Sequence, residues 1–76
     1  MARPLYEIAS EIRATWPKPY FGAVPYLAAM AELTKVTDTF YHDTGKSIVL
    51  YFLANAGTWR GPDAKRIKAE LKDLVK

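Results

Sequence analysis

The chain has 76 residues, no cysteine, 50% hydrophobic and 25% charged residues, and a formal net charge of +3. That length is near the lower limit for a self-sufficient hydrophobic core, so one domain spanning residues 1–76 is expected, and the apolar content excludes a disordered chain. Without cysteine, neither a disulfide framework nor a thiolate metal site holds the fold, which suits a reducing compartment.

Charges at Arg3, Glu7, Glu11 and Arg13 interrupt the start of the chain, leaving no apolar stretch that could serve as a secretory signal. The longest strongly apolar run, Ile48 to Ala54, is far short of the ~20 residues a membrane span needs. The expectation is a soluble cytoplasmic protein with no membrane partner.

Pro4 suits a first turn, and Leu5, Ile8, Ala9 and Ile12 recur at helical spacing, which predicts a first helix from Pro4 to Thr15, ended by Trp16 and Pro17. The proline-punctuated aromatic stretch WPKPYFGAVP then connects to a second, alanine-rich helix from Tyr26 to Leu33, with Pro25 tolerable only in its first turn. TKVTDTFYHD favours a loop, with room for a short extended piece, because threonine and aspartate side chains compete for backbone hydrogen bonds. A third helix capped by Asp43 or Thr44 is predicted through SIVLYFLANA, ended by Gly57. Its apolar residues lie all round, as in an element buried on most sides; a strand is the alternative for IVLYF, disfavoured because no second strand is evident to pair with it. Gly61 and Pro62 open a fourth helix with Asp63 in its first turn and a core face of Ala64, Ile67, Leu71, Leu74 and Val75. The fold class predicted is all-α, a small compact bundle of about four short helices with the third at its centre.

The charge is uneven. From Met1 to Trp59 five basic residues balance five acidic ones; from Arg60 onward six basic residues stand against Asp63, Glu70 and Asp73. At about 100° per residue, Lys65, Lys68, Lys72 and Lys76 share the arc beside the core face of the fourth helix, with the carboxylates beyond. Such a stripe is either the solvated side of a packed helix, supported by Arg66 with Glu70 and Asp73 with Lys76, or a surface for an anionic partner.

Several motifs point elsewhere. TGKS at Thr44 to Ser47 has the ending of a phosphate-binding loop, but the glycine that motif needs five positions before Gly45 is Phe40, so a capped helix start is the better account. His42 between Asp38 and Asp43 lacks the ligand number and spacing of a metal site, and Glu7 with Glu11 has no nucleophile beside it, so neither an enzyme nor a cofactor is expected. MAELTKVTDTFYHDTGKSIVL resembles the helix-turn-helix of tetracycline-repressor-type regulators through Val36, Thr37, Thr39, Phe40 and Tyr41. It is one residue short between Val36 and Thr39 and again before Lys46, and on a helix each deletion rotates every later side chain by about 100°.

Trp16, Tyr20, Phe21 and Tyr26 are expected in the core rather than on a binding surface, the alternative for such a cluster, since a thin domain uses its largest side chains inside. Trp59 and Arg60 lie in the tight connection before the fourth helix, where the ring either seals the end of the bundle or anchors a partner.

LYEIASEIRATW, YFGAVPYLAAM, GKSIVLYFLANAGTWRG and AKRIKAELKDLV together resemble a family of short proteins carried by actinobacterial phages, mycobacteriophages especially. The resemblance implies expression in a bacterial cytoplasm during infection, among small genes that often act by binding host components. The expected function is accordingly non-enzymatic: a phage accessory protein that binds a protein partner, or itself, through Trp59, Arg60, Lys65, Lys68 and Lys72. The alternative is a nucleic-acid binder whose lysines contact phosphates.

Overall fold

Leu5, Ile8, Ala9 and Ile12 are all buried along one side of α1 (Leu5–Thr15), as their spacing requires. The computed structural model describes residues 3–76, and among these three further α-helices follow: α2 (Val24–Met30), α3 (Gly45–Ala54) and α4 (Pro62–Leu74). A turn of 3-10 helix at Phe21–Ala23 leads into α2, and β1 (Thr39–Phe40) pairs antiparallel with β2 (Asp43–Thr44). The chain is thus mostly helical, and the two-residue strands occupy the loop where an extended piece had room to form.

Pro4 supplies no side-chain cap to α1, so its first amides need other acceptors. Leu5 N donates to the Thr34 carbonyl and Tyr6 N to the Leu33 carbonyl, each at 2.9 Å. α2 itself stops at Met30, short of the predicted Leu33: Glu32 N and Leu33 N close tight turns onto Ala29 O and Met30 O (3.0 and 3.1 Å), and the carbonyls of Leu33 and Thr34 beyond them, left without helical partners, face the start of α1.

Thr44 caps α3 through its hydroxyl, which accepts from Ser47 N at 3.2 Å. The helix ends at Asn55, whose side-chain amide donates to Tyr51 O at 2.9 Å; Gly57 is not in the left-handed conformation and does not terminate it. Nor is α3 central. Its Ile48, Val49 and Phe52 face inward while Leu50 and Tyr51 are about half exposed, and α3 packs on α2 and α4, as α1 does, so the four helices surround a shared core. The apolar residues all round α3 therefore reflect an outer face left uncovered, not burial on most sides.

One end of that core is aromatic. Trp16 and Trp59 stack with centroids 5.3 Å apart and planes 6° from parallel, and Phe52 meets both edge-on at 6.3 and 6.4 Å. Among the described residues no polar or charged residue is buried.

Ion pairs join α1 to α4. Arg3 reaches Glu11 at 2.8 Å and Glu70 at 2.6 Å, and Arg66 reaches Glu11 at 2.6 Å and Asp63 at 3.3 Å. Arg66 thus pairs with Glu11 and Asp63 in place of the expected Glu70, whereas Asp73 and Lys76 do approach each other, at 3.7 Å. Hydrogen bonds from Arg66 and Arg3 hold the Glu11 carboxylate below its ordinary 4.5, and the hydrogen bond from Arg3 does the same for Glu70. Both groups stay ionised to lower pH in the folded chain than in the unfolded one. Their contribution to stability is complete above about pH 4.5 and is lost as pH falls through the depressed folded values. Urea midpoints measured from about pH 6 to pH 2 are expected to fall in acid, and to fall less in Glu11→Gln. Identical profiles for the two proteins would show that the network adds nothing to stability.

Candidate functional site

Gly61 adopts φ +111°, a conformation that side chains rarely tolerate, and it turns the chain so that Pro62 occupies the first position of α4. From that fixed start the helical period decides which residues face inward. Ala64, Ile67 and Leu71 are buried, Leu74 and Val75 pack partly against the core, and the lysines occupy the neighbouring arc.

The connection before α4 and this lysine arc enclose an open groove of about 480 Å³. Trp59 and Ala64 form part of its floor, and Arg60, Lys65, Lys68 and Lys72 line its sides. All five candidate residues named from the sequence are therefore brought together. No carboxylate lines the groove, and among the described residues none of its four cations forms an ion pair. The acidic side chains of α4 are engaged elsewhere: Asp63 with Arg66, Glu70 with Arg3, Asp73 with Lys76.

The five residues differ in what they can do. Trp59 is only 4% exposed, so its ring closes the core and presents no free anchor to a partner. Lys68 is half-buried; its ammonium donates to the Trp59 carbonyl at 2.6 Å and stands 5.8 Å from the centre of that ring. Burial first, then the charges of Lys72 and Arg60, lower the pKa of Lys68. An anion entering the groove would offset that crowding of like charges. Arg60, Lys65 and Lys72 are exposed and carry their charge to the rim.

The aromatic residues separate as well. Trp16 is buried and Tyr26 is partly buried, its ring 5.5 Å from that of Tyr51, but Tyr20 is 43% and Phe21 79% exposed, against the expectation that all four lie in the core. Pro17 and Pro19 keep the chain irregular up to Tyr20, and the 3-10 turn at Phe21–Ala23 is too short for a period in the sequence to aim these rings. The outward-facing Leu50 and Tyr51 were equally hidden, because an apolar run reads the same whether or not one face is covered.

The other motifs have structural roles. At TGKS the amides that would wrap a phosphate are occupied: Gly45 N donates to Asp38 O at 2.7 Å and Lys46 N to Val36 O at 2.9 Å. Val36 to Tyr41 form loop and strand, so there is no recognition helix where the helix-turn-helix resemblance would put one. His42 is exposed on the hairpin, and among the described residues no three histidine, aspartate or glutamate side chains gather as metal ligands would. Among the described residues no helix is long and apolar enough to cross a membrane.

No protein-family model, curated protein or solved structure matches this chain.

Proposed function

We propose that the protein is a non-enzymatic binding module that takes nucleic acid through the phosphates, with Arg60, Lys65 and Lys72 as the contacting charges and Lys68 held behind them. The observation that carries this reading is the groove itself, with four cations, no carboxylate and a rigid floor fixed by the Trp16–Trp59 stack. Surface lysines are ordinarily interspersed with carboxylates; here the helical period puts those of α4 beyond the lysine arc, where Glu70 pairs with Arg3 and Asp63 with Arg66. In the setting implied by the sequence resemblance, such a module is a phage accessory factor acting in the cytoplasm of the infected host.

Neutralising phosphates releases counterions, so three contacts on duplex DNA give log K against log salt a slope of about −3. In a salt series with mixed-sequence DNA, Arg60→Gln, Lys65→Gln and Lys72→Gln together should bring that slope close to zero, with weakened binding at low salt. Lys68 is left in place because its bond to the Trp59 carbonyl is structural. Absence of binding at low salt, or an unaltered slope in the triple variant, rejects the reading.

A protein partner is the second reading, supported by the uncovered Leu50 and Tyr51 on α3. Trp59, the anchor such a partner was expected to use, is enclosed, so contact would have to come through Arg60 and the outer face of α3.

A further inference from the structure

Resting on the nucleic-acid reading above, we infer that the ligand is single-stranded, with unstacked bases resting on Tyr20 and Phe21 while their phosphates run into the basic groove. Phe21 is the most exposed large apolar ring beside α2, at 79%, and it is paired with Tyr20 at a centroid distance of 4.7 Å. An added Cβ at Gly22 would stand 2.7 Å from the Tyr20 ring and 2.8 Å from Asn55 Oδ1, so the Tyr20 ring and the side chain at the end of α3 both close on Gly22.

Tyr20, Asn55, Gly57 and Thr58 line a small hollow, and the chain passes from that hollow directly into the groove through Trp59 and Arg60. Thr58 on one rim and Arg60 on the other are two residues apart, hence at most about 7 Å between Cα atoms. Lys18, two residues before Tyr20 in the chain, is exposed and without an ion pair among the described residues. Exposed rings next to a cationic channel are the two parts from which sequence-tolerant single-strand sites are built, because every base has a face to stack and every nucleotide a phosphate to pair. A duplex keeps its bases stacked on one another and can use only the cations. The same rings could instead cover a protein; the hollow beside Tyr20 is uncharged, and it is the cationic groove, whose first cation Arg60 lies two residues beyond Thr58, that favours a polyanion.

The test compares oligothymidine and oligouridine of about 20 nucleotides with a duplex of equal length, using wild type, Phe21→Ala and Phe21→Trp at low salt. Wild type should bind the single strands more tightly than the duplex. Phe21→Ala should weaken single-strand binding by about 5- to 150-fold, with duplex binding and the salt slope unchanged, and Phe21→Trp should retain it. An exposed ring is not needed for folding, so circular dichroism of Phe21→Ala should match wild type. Equal affinity for single strand and duplex, or indifference of single-strand binding to Phe21→Ala, overturns the inference while leaving the phosphate groove intact; no binding to either overturns the underlying reading. If the wild type self-associates in sedimentation and Phe21→Ala does not, with single-strand binding unchanged, the rings belong to a protein interface and the inference is wrong.

Discussion

Trp59→Ala should lower the thermal midpoint by about 20 °C or more, the largest effect expected from any single side-chain truncation in this chain. A domain of this size holds roughly 4–11 kcal/mol of stability at ordinary values per residue, and removing a buried tryptophan costs about 3–5 kcal/mol. Nothing nearby can collapse into the space. On one side is the parallel ring of Trp16 at 5.3 Å, on another the edge of Phe52 at 6.4 Å, both held by helices whose other contacts are intact. The loss also reaches the groove, since the ring lies under Lys68 and forms part of the floor between Arg60 and Lys72. Trp59→Phe, which keeps an aromatic face against Trp16, should lose much less. A midpoint within about 5 °C of wild type for Trp59→Ala, with binding weakened, would restore the ring to the role of a partner anchor.

The places where the sequence was readable share a physical reason. α1 and α4 each put apolar residues at helical spacing against one partner surface, so period alone gave Leu5, Ile8, Ala9 and Ile12 on one, and Ala64, Ile67 and Leu71 on the other. The cap at Thr44 and the opening of α4 by Gly61 and Pro62 are local chemistry, legible for the same reason. The lysine arc came from the same period. The same period put the carboxylates beyond that arc; what it did not show is that Glu70 pairs with Arg3 and that Arg66 reaches across to Glu11, contacts between distant parts of the chain that no local pattern encodes. The capping of α1 is of the same kind: the acceptors that Leu5 and Tyr6 need come from Thr34 and Leu33, far along the chain. Phe21 and Trp59 complete the contrast. Both are aromatic residues outside the four α-helices, and only packing against Trp16 and Phe52 distinguishes the enclosed ring from the exposed one.

Gly45→Ala should destabilise the fold by about 1–3 kcal/mol, in opposition to what helix propensity alone predicts. Alanine in place of glycine inside a helix ordinarily gains up to about 1 kcal/mol, and Gly45 is the first residue of α3 with no left-handed conformation to protect. Space decides the sign. A Cβ at Gly45 would lie 2.7 Å from the Lys35 carbonyl oxygen and 2.8 Å from Val36 Cα, both backbone atoms that no rotamer change can move aside. That backbone is held there by two hydrogen bonds, Gly45 N to Asp38 O and Lys46 N to Val36 O, and by the Asp38 carboxylate, which accepts from Lys35 N at 3.0 Å. Relieving the clash therefore means lifting the loop from α3 and exposing the amides at its start, with loss of hydrogen-exchange protection at Lys46. Gly57→Ala is the matched control: an added Cβ there meets nothing within 4 Å, so it should be neutral or raise stability by up to about 1 kcal/mol through the unfolded chain. Urea unfolding of the two variants beside wild type decides between the effects. Equal midpoints for Gly45→Ala and Gly57→Ala would mean that the loop yields freely and that Gly45 is no more than a helix residue of low propensity.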